Sequence, residues 1–218
     1  MEKDVIKKKV GLRAINYVRP GSVIGVGTGS TILYFINALK KIKNKIKGVV
    51  SSSLDSTIKL KKIGLPILDI NKINKIDLYI DSADEINYKM QMIKGGGAAL
   101  TNEKIIASIS DLFICIVDYS KLVKVLGKFP LPIEIIPMAK SLIFNKLKQL
   151  GGIPKQRPNT ITENGNIIID VYNFMIIDAI FFEETINNIP GVVTVGIFAK
   201  RTADIVLVGV KNGIKVIQ

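Results

Sequence analysis

The chain has 218 residues, 48% hydrophobic and 22% charged, which suits one large domain or two small ones with a real core and excludes a disordered chain. Its net charge is +13, yet 27 of the 31 basic residues are lysines strewn along the chain and only four are arginines; phosphate forks and base readout favour arginine, so the expectation is a solvated basic surface and no nucleic-acid partner. Histidine is absent, which excludes Ser-His-Asp triads, imidazole acid–base catalysis and His-ligated metal sites within this chain and leaves carboxylates, lysines, hydroxyls and backbone amides.

In chain order, MEKDVIKKKV is charged and helical, unlike a signal peptide. Apolar positions at Val5, Ile6, Val10, Ala14, Ile15 and Val18 predict a helix over 2–18, stopped by Arg19-Pro20-Gly21. Ser22–Val26 reads as a short buried strand, followed by Gly27–Thr31 and a helix from Ile32 to about Lys43. Strand Gly48–Ser51, helix Asp55–Ile63, strands Leu65–Asp69 and Asp77–Asp81, helix Glu103–Ile109 and strand Leu112–Val117 follow. Strands alternating with helices predict a doubly wound, mostly parallel sheet. Cys115 lies in the apolar run LFICIV without a partner cysteine, which fits a reducing cytoplasm. No apolar run reaches the ~18–20 residues that cross a bilayer, so no membrane partner is expected.

The rhythm changes near Gly127, where KFPLP reads as a linker. A strand at Ile133–Ile136, a helix at Met138–Leu150, a hairpin about Asn164-Gly165, a helix at Asp178–Asn188 and a strand at Val192–Ile197 make a βαββαβ-like set. This pattern predicts a small ferredoxin-like α+β domain over 128–202, inserted into a Rossmann-like domain made of 1–127 and 203–218. Ile205–Val210 and Ile214–Ile217, turned at Asn212-Gly213, close the chain.

Polar, Gly-rich segments stand at the ends of predicted strands, where open α/β sheets bind ligands. Gly25–Thr31 (GVGTGST) places glycines and hydroxyls at a helix start, which suits an anion, although it is neither a Walker loop nor a dinucleotide fingerprint and could be a plain tight turn. Asp81-Ser82-Ala83-Asp84-Glu85 sets three acids in five residues, suited to proton transfer on sugar hydroxyls, although it could be a polar loop with an N-cap aspartate; a divalent metal would lack a convincing ligand set. In Lys94-Gly95-Gly96-Gly97 the glycines permit close backbone approach and the lysine could neutralise an oxyanion. Taken by themselves, Glu103 is an ordinary first-turn helix acid and Lys7 a surface charge, while Lys121 offers one more cation after the strand 112–117.

These segments together resemble the type A ribose-5-phosphate isomerases. The matching motifs are GVGTGST (Gly25–Thr31), SSS (Ser51–Ser53), DSADE (Asp81–Glu85), KGGGAAL (Lys94–Leu100) running into Glu103, GKFPLP (Gly127–Pro132) and PGVVTVG (Pro190–Gly196), in order over nearly the whole chain. The resemblance implies a cofactor-free, metal-free isomerase of ribose 5-phosphate and ribulose 5-phosphate, active as a homodimer or higher assembly. It implies Glu103 as the base, Asp81 and Asp84 for hydroxyl protons and ring opening, and Lys94 for the enediolate oxygen. Thr28, Gly29, Ser30 and Thr31, with Lys7 and Lys121, would hold the phosphate or flank the substrate, and Ser82, Ala83, Gly95, Gly96 and Gly97 would line it. The family usually has glycine where this chain has Ser82; a positive φ there would strain the acidic loop and make Ser82→Gly neutral or favourable.

Three rivals fit less well. Amino-sugar phosphate deaminases look to a histidine, and neither the pattern nor the glutamate loop of CoA transferases is present. A sugar-phosphate-sensing regulator needs a helix-turn-helix, for which the first 20 residues are too short.

Overall fold

The structure, a computed structural model, describes residues 2–218. Its elements are α1 (Glu2–Ala14), β1 (Val23–Val26), α2 (Ser30–Leu39), β2 (Gly48–Ser51), α3 (Leu54–Lys62), β3 (Leu78–Asp81), β4 (Glu85–Ile86), β5 (Met92–Ile93), α4 (Leu100–Ser108) and β6 (Phe113–Asp118). They continue with β7 (Leu131–Ile135), α5 (Lys140–Gln149), β8 (Ile153–Ile161), β9 (Ile167–Tyr172), α6 (Ala179–Asn187), β10 (Val192–Val195), β11 (Ile197–Phe198), β12 (Ile205–Val210) and β13 (Gly213–Ile217). The chain divides into two compact units. One is the chain up to Ala83 with Asn102–Leu122 and Ala203–Gln218; the other is Asp84–Thr101 with Val123–Thr202.

The first unit is built on a six-stranded sheet of order β13-β12-β6-β3-β1-β2, parallel throughout except for β13 against β12. β1, β3 and β6 are buried along their whole length, as strands covered on both faces must be. Ile6, Val10 and Ala14, four apart on one face of α1, are fully buried, and Phe35 and Leu39 of α2 and Leu60 of α3 join Ile24, Ile80 and Ile116 of the sheet in one core. From β1 the chain moves to β2 on one side and then to β3 on the other. The strand order therefore reverses between β1 and β3, and the loops that leave their carboxyl ends lie where this class of sheet opens a crevice.

The second unit holds β7-α5-β8-β9-α6-β10 as an antiparallel sheet of order β10-β7-β9-β8, the ferredoxin-like arrangement. Ile133, Ile135, Ile169 and Val171 pack against Ile143, Leu147 and Ile186 of its helices. A hairpin of β4 and β5, extended by β11, makes a separate three-stranded sheet.

Several expectations shift. Residues 65–69 supply only a single bridge, Val49 to Ile67, and α1 ends at Ala14 in a short 3-10 turn. The two-residue strands β4 and β5 are too short to leave a period. β8 is an edge strand carrying Pro154 and Pro158, mostly solvated, so neither alternation nor composition marks it. Because β5 pairs with β11 and β4 with β5, Asp84–Thr101 groups with the second unit, whereas the sequence rhythm kept it with 1–127.

Candidate active site

In the first unit the site is organised around Asp81, the last residue of β3, which is fully buried. Three donors converge on its carboxylate. Oδ1 accepts the N–H of Thr28 at 3.1 Å and of Ser82 at 2.7 Å, and Oδ2 accepts the phenol of Tyr79. The loop after β1 comes so close that a Cβ on Gly27 would stand 1.8 Å from Asp81 Oδ1, so only glycine fits. Ser56 Oγ donates to the Gly27 carbonyl at 2.7 Å and fixes the loop from the other side.

Tyr79 lies two residues before Asp81 on the same face of β3 and stacks on Phe113 with ring centroids 4.8 Å apart. Burial pushes its phenol pKa well above the ordinary value, and the charges of Asp81 and then Glu103 push it further, so it remains a donor. Glu103 stands in the first turn of α4 and is only 3% exposed, and the preceding Asn102 donates its side-chain N–H to the Ser52 carbonyl at 3.2 Å.

Gly29, with φ of 109°, caps α2, and Ser30 and Thr31 open it. Lys7 Nζ from α1 donates to Ser30 Oγ at 2.9 Å, which sets an ammonium, a hydroxyl and the free amides of a ten-residue helix together. Lys121 is half-buried in the 3-10 turn after β6, and Ala83 is buried in the middle of the acidic loop.

Ser82 does not fit the strained-loop expectation. The non-glycine residues with positive φ are Met90, Ala98, Asn159 and Asn173, so Ser82 has ordinary backbone. Its Oγ donates to the Thr28 carbonyl at 3.0 Å and ties the acidic loop to the loop after β1. Ser82→Gly is therefore expected to cost about 1 kcal/mol, one net hydrogen bond, and to lower turnover rather than raise it. Urea unfolding and steady-state rates check this, and turnover above wild type would contradict it.

In the second unit, Asp84 Oδ2 accepts the N–H of Gly96 at 2.7 Å, and a Cβ on Gly96 would lie 2.6 Å from Asp84 Oδ1, so a glycine is again required by a carboxylate. Lys94 is 2% exposed, its N–H donates to the Gly196 carbonyl at 2.8 Å, and its ammonium lies 5.5 Å from the centre of the Phe198 ring. Arg157 donates to the carbonyls of Gly95 at 3.0 Å and Gly96 at 3.1 Å, while Gly97 is exposed.

Of the residues singled out in the sequence, Lys7, Thr28–Thr31, Asp81–Ala83, Glu103 and Lys121 thus belong to the first unit, and Asp84 with Lys94–Gly97 to the second. Tyr79 and Arg157 were missed. Period two along β3 could have found Tyr79; nothing local marks Arg157. Among the described residues no three Asp, Glu or Cys side chains converge as metal ligands, and no helix is long and apolar enough to cross a membrane.

The family model for ribose 5-phosphate isomerase A (phosphoriboisomerase A) matches residues 48–213. The chain belongs to the ribose 5-phosphate isomerase A family. Within that family, the ribose-5-phosphate isomerase A of Buchnera aphidicola subsp. Baizongia pistaciae (strain Bp) is 59% identical over 217 residues, covering 100% of both chains. The crystal structure of ribose 5-phosphate isomerase A from Neisseria gonorrhoeae superposes with a TM-score of 0.97 at 46% identity, over 99% of this chain and 96% of that one. A ribose-5-phosphate isomerase solved in complex with phospho-erythronic acid gives 0.95 at 38% identity, over 100% of both. The Rossmann-like sheet with a second, smaller ferredoxin-like unit is thus the ribose 5-phosphate isomerase A architecture over the full chain.

Proposed function

We propose that the chain interconverts D-ribose 5-phosphate and D-ribulose 5-phosphate through an enediolate, with Glu103 as the base. Family membership makes it an aldose–ketose isomerase of the pentose phosphate pathway. What supports the mechanism is that the first unit buries two carboxylates, Asp81 at the end of β3 and Glu103 in the first turn of α4, in a chain that has no histidine to offer. On open-chain aldose, Glu103 takes the proton from C2 and returns it to C1. Asp81 and Asp84 carry the hydroxyl protons and open the ring, and Lys94 stabilises the charge that gathers on oxygen.

The phosphate is held by Thr28, Gly29, Ser30 and Thr31 at the start of α2 with the Lys7 ammonium, and Lys121 flanks the sugar. Ser82, Ala83 and Gly95–Gly97 contribute backbone groups along it. Binding energy spent on the phosphate, remote from the reacting carbons, holds the open-chain form in place. The relative solved with phospho-erythronic acid, a phosphorylated sugar acid, supports a phosphate-ended ligand here as well.

The same reading takes the protein as a cytoplasmic homodimer. In its second unit Met138 is 94% exposed and Ile177 86%, with Ile161 and Met175 also well exposed, an apolar excess that a second copy would cover.

One preparation tests these points. Purified chain in excess EDTA is expected to convert ribose 5-phosphate to ketose without any added cofactor and to elute at twice the chain mass by light scattering. Activity that is lost in EDTA and regained with a divalent ion would refute the metal-free mechanism, and a monomeric mass would refute the dimer.

A further inference from the structure

Three consecutive glycines give Gly95–Gly97 more backbone freedom than any other stretch of the chain, yet Lys94 and Asp84 both depend on where this loop lies. Gly95 has φ of 111°, Ala98 returns its N–H to the Gly95 carbonyl at 3.0 Å, and Gly96 donates to Asp84. What remains is the orientation of the peptide plane between Gly96 and Gly97. One side chain holds it and braces the plane before it. Arg157 Nη1 donates to the Gly95 carbonyl at 3.0 Å and to the Gly96 carbonyl at 3.1 Å.

In a trans peptide the C=O and the following N–H point in opposite directions. With the carbonyls of Gly95 and Gly96 turned towards Arg157, the N–H groups of Gly96 and Gly97 face the opposite side. There the first is already taken by Asp84 Oδ2 at 2.7 Å. The second is thereby aimed to the side of Asp84, in an exposed part of the loop.

The guanidinium is itself anchored. Nε donates to Asp170 Oδ2 at 2.9 Å and Nη2 to Asp170 Oδ1 at 2.6 Å, a bidentate pair whose side chains are only 16% and 13% exposed. Only a planar fork can hold one carboxylate in two bonds and still offer two protons to two carbonyls; an ammonium cannot do both. The four bonds run from β9 through β8 to the loop and are specific to arginine, in a chain that has only four arginines among its 31 basic residues.

We propose that Arg157, braced by Asp170, is a positioning residue for the isomerisation: it fixes the Gly95–Gly97 peptides so that Lys94, Asp84 and the Gly97 N–H meet the substrate in register. This rests on the reading of Lys94 and Asp84 as site residues. It predicts a loss in kcat with little change in binding, because the phosphate grip is made elsewhere.

The test compares Arg157→Lys, Arg157→Ala and Lys94→Ala with wild type for kcat, KM, thermal midpoint and rescue by methylguanidine. Both Arg157 variants are expected to lose roughly 10–100-fold in kcat, the scale of a misplaced catalytic group, with KM within about threefold. Arg157→Lys should keep its thermal midpoint, and methylguanidine should restore part of the turnover of Arg157→Ala and none of that of Arg157→Lys. Should Arg157→Ala fail to fold, Arg157→Lys decides by the same kcat criterion. Wild-type turnover in a folded Arg157 variant, alongside a slow Lys94→Ala, overturns the role of Arg157 and leaves the site reading standing. Full turnover in Lys94→Ala overturns both. A loss in Arg157→Ala that follows its thermal midpoint and ignores methylguanidine assigns Arg157 to stability alone and also overturns the proposal.

Discussion

Glu103→Gln is expected to lower kcat by at least ~10²-fold while KM for ribose 5-phosphate stays nearly unchanged. Glutamine keeps the size and hydrogen-bonding reach of the side chain in the first turn of α4, so the local packing around this 3%-exposed position survives. What it lacks is the ability to take a proton from carbon. General-base contributions are typically ~10²–10⁴-fold, and a carbon acid as weak as an aldose lies at the upper end. Exchange of the C2 hydrogen with deuterated water should stop in the same variant, since the enediolate does not form, and small amines should not restore it. A variant retaining more than about a tenth of wild-type turnover, against that expected ~10²-fold loss, would move the base elsewhere, with Asp81 the first candidate.

Lys94→Met is expected to separate activity from stability. The Lys94 side chain is buried at 2% exposure, with its ammonium 5.5 Å from the centre of the Phe198 ring. Methionine fills nearly the same volume and keeps an apolar contact with the Phe198 ring, so the fold is expected to survive the exchange. Turnover should nevertheless fall by roughly 10²–10³-fold, the scale of a lost oxyanion donor. Thermal unfolding and kcat measured on one preparation check both halves. A variant that is destabilised and fully active would show that Lys94 serves packing. Lys94→Ala, with room left at the site, should regain part of its rate from small amines, which distinguishes the electrophile from the base.

The sequence by itself determined the architecture and the chemical repertoire. Continuous apolar runs such as Phe113–Val117 can only be strands covered on both faces, and their alternation with helices dictates a parallel sheet. The absence of histidine confined the chemistry to carboxylates, lysines, hydroxyls and backbone amides. The acidic loop and the glycine loops were visible because they interrupt that apolar rhythm, and period two would have added Tyr79. The tertiary structure decided what local pattern cannot carry. The bonds from Arg157 to Gly95 and Gly96 span 61 or 62 residues, and the pairing of β5 with β11 spans over a hundred, so no window of sequence contains them. It also decided Ser82, whose backbone is ordinary and whose hydroxyl bridges to Thr28, 54 residues away. A side chain's backbone conformation and its distant partner are set by the packing of the whole chain, and a list of residue types does not contain them.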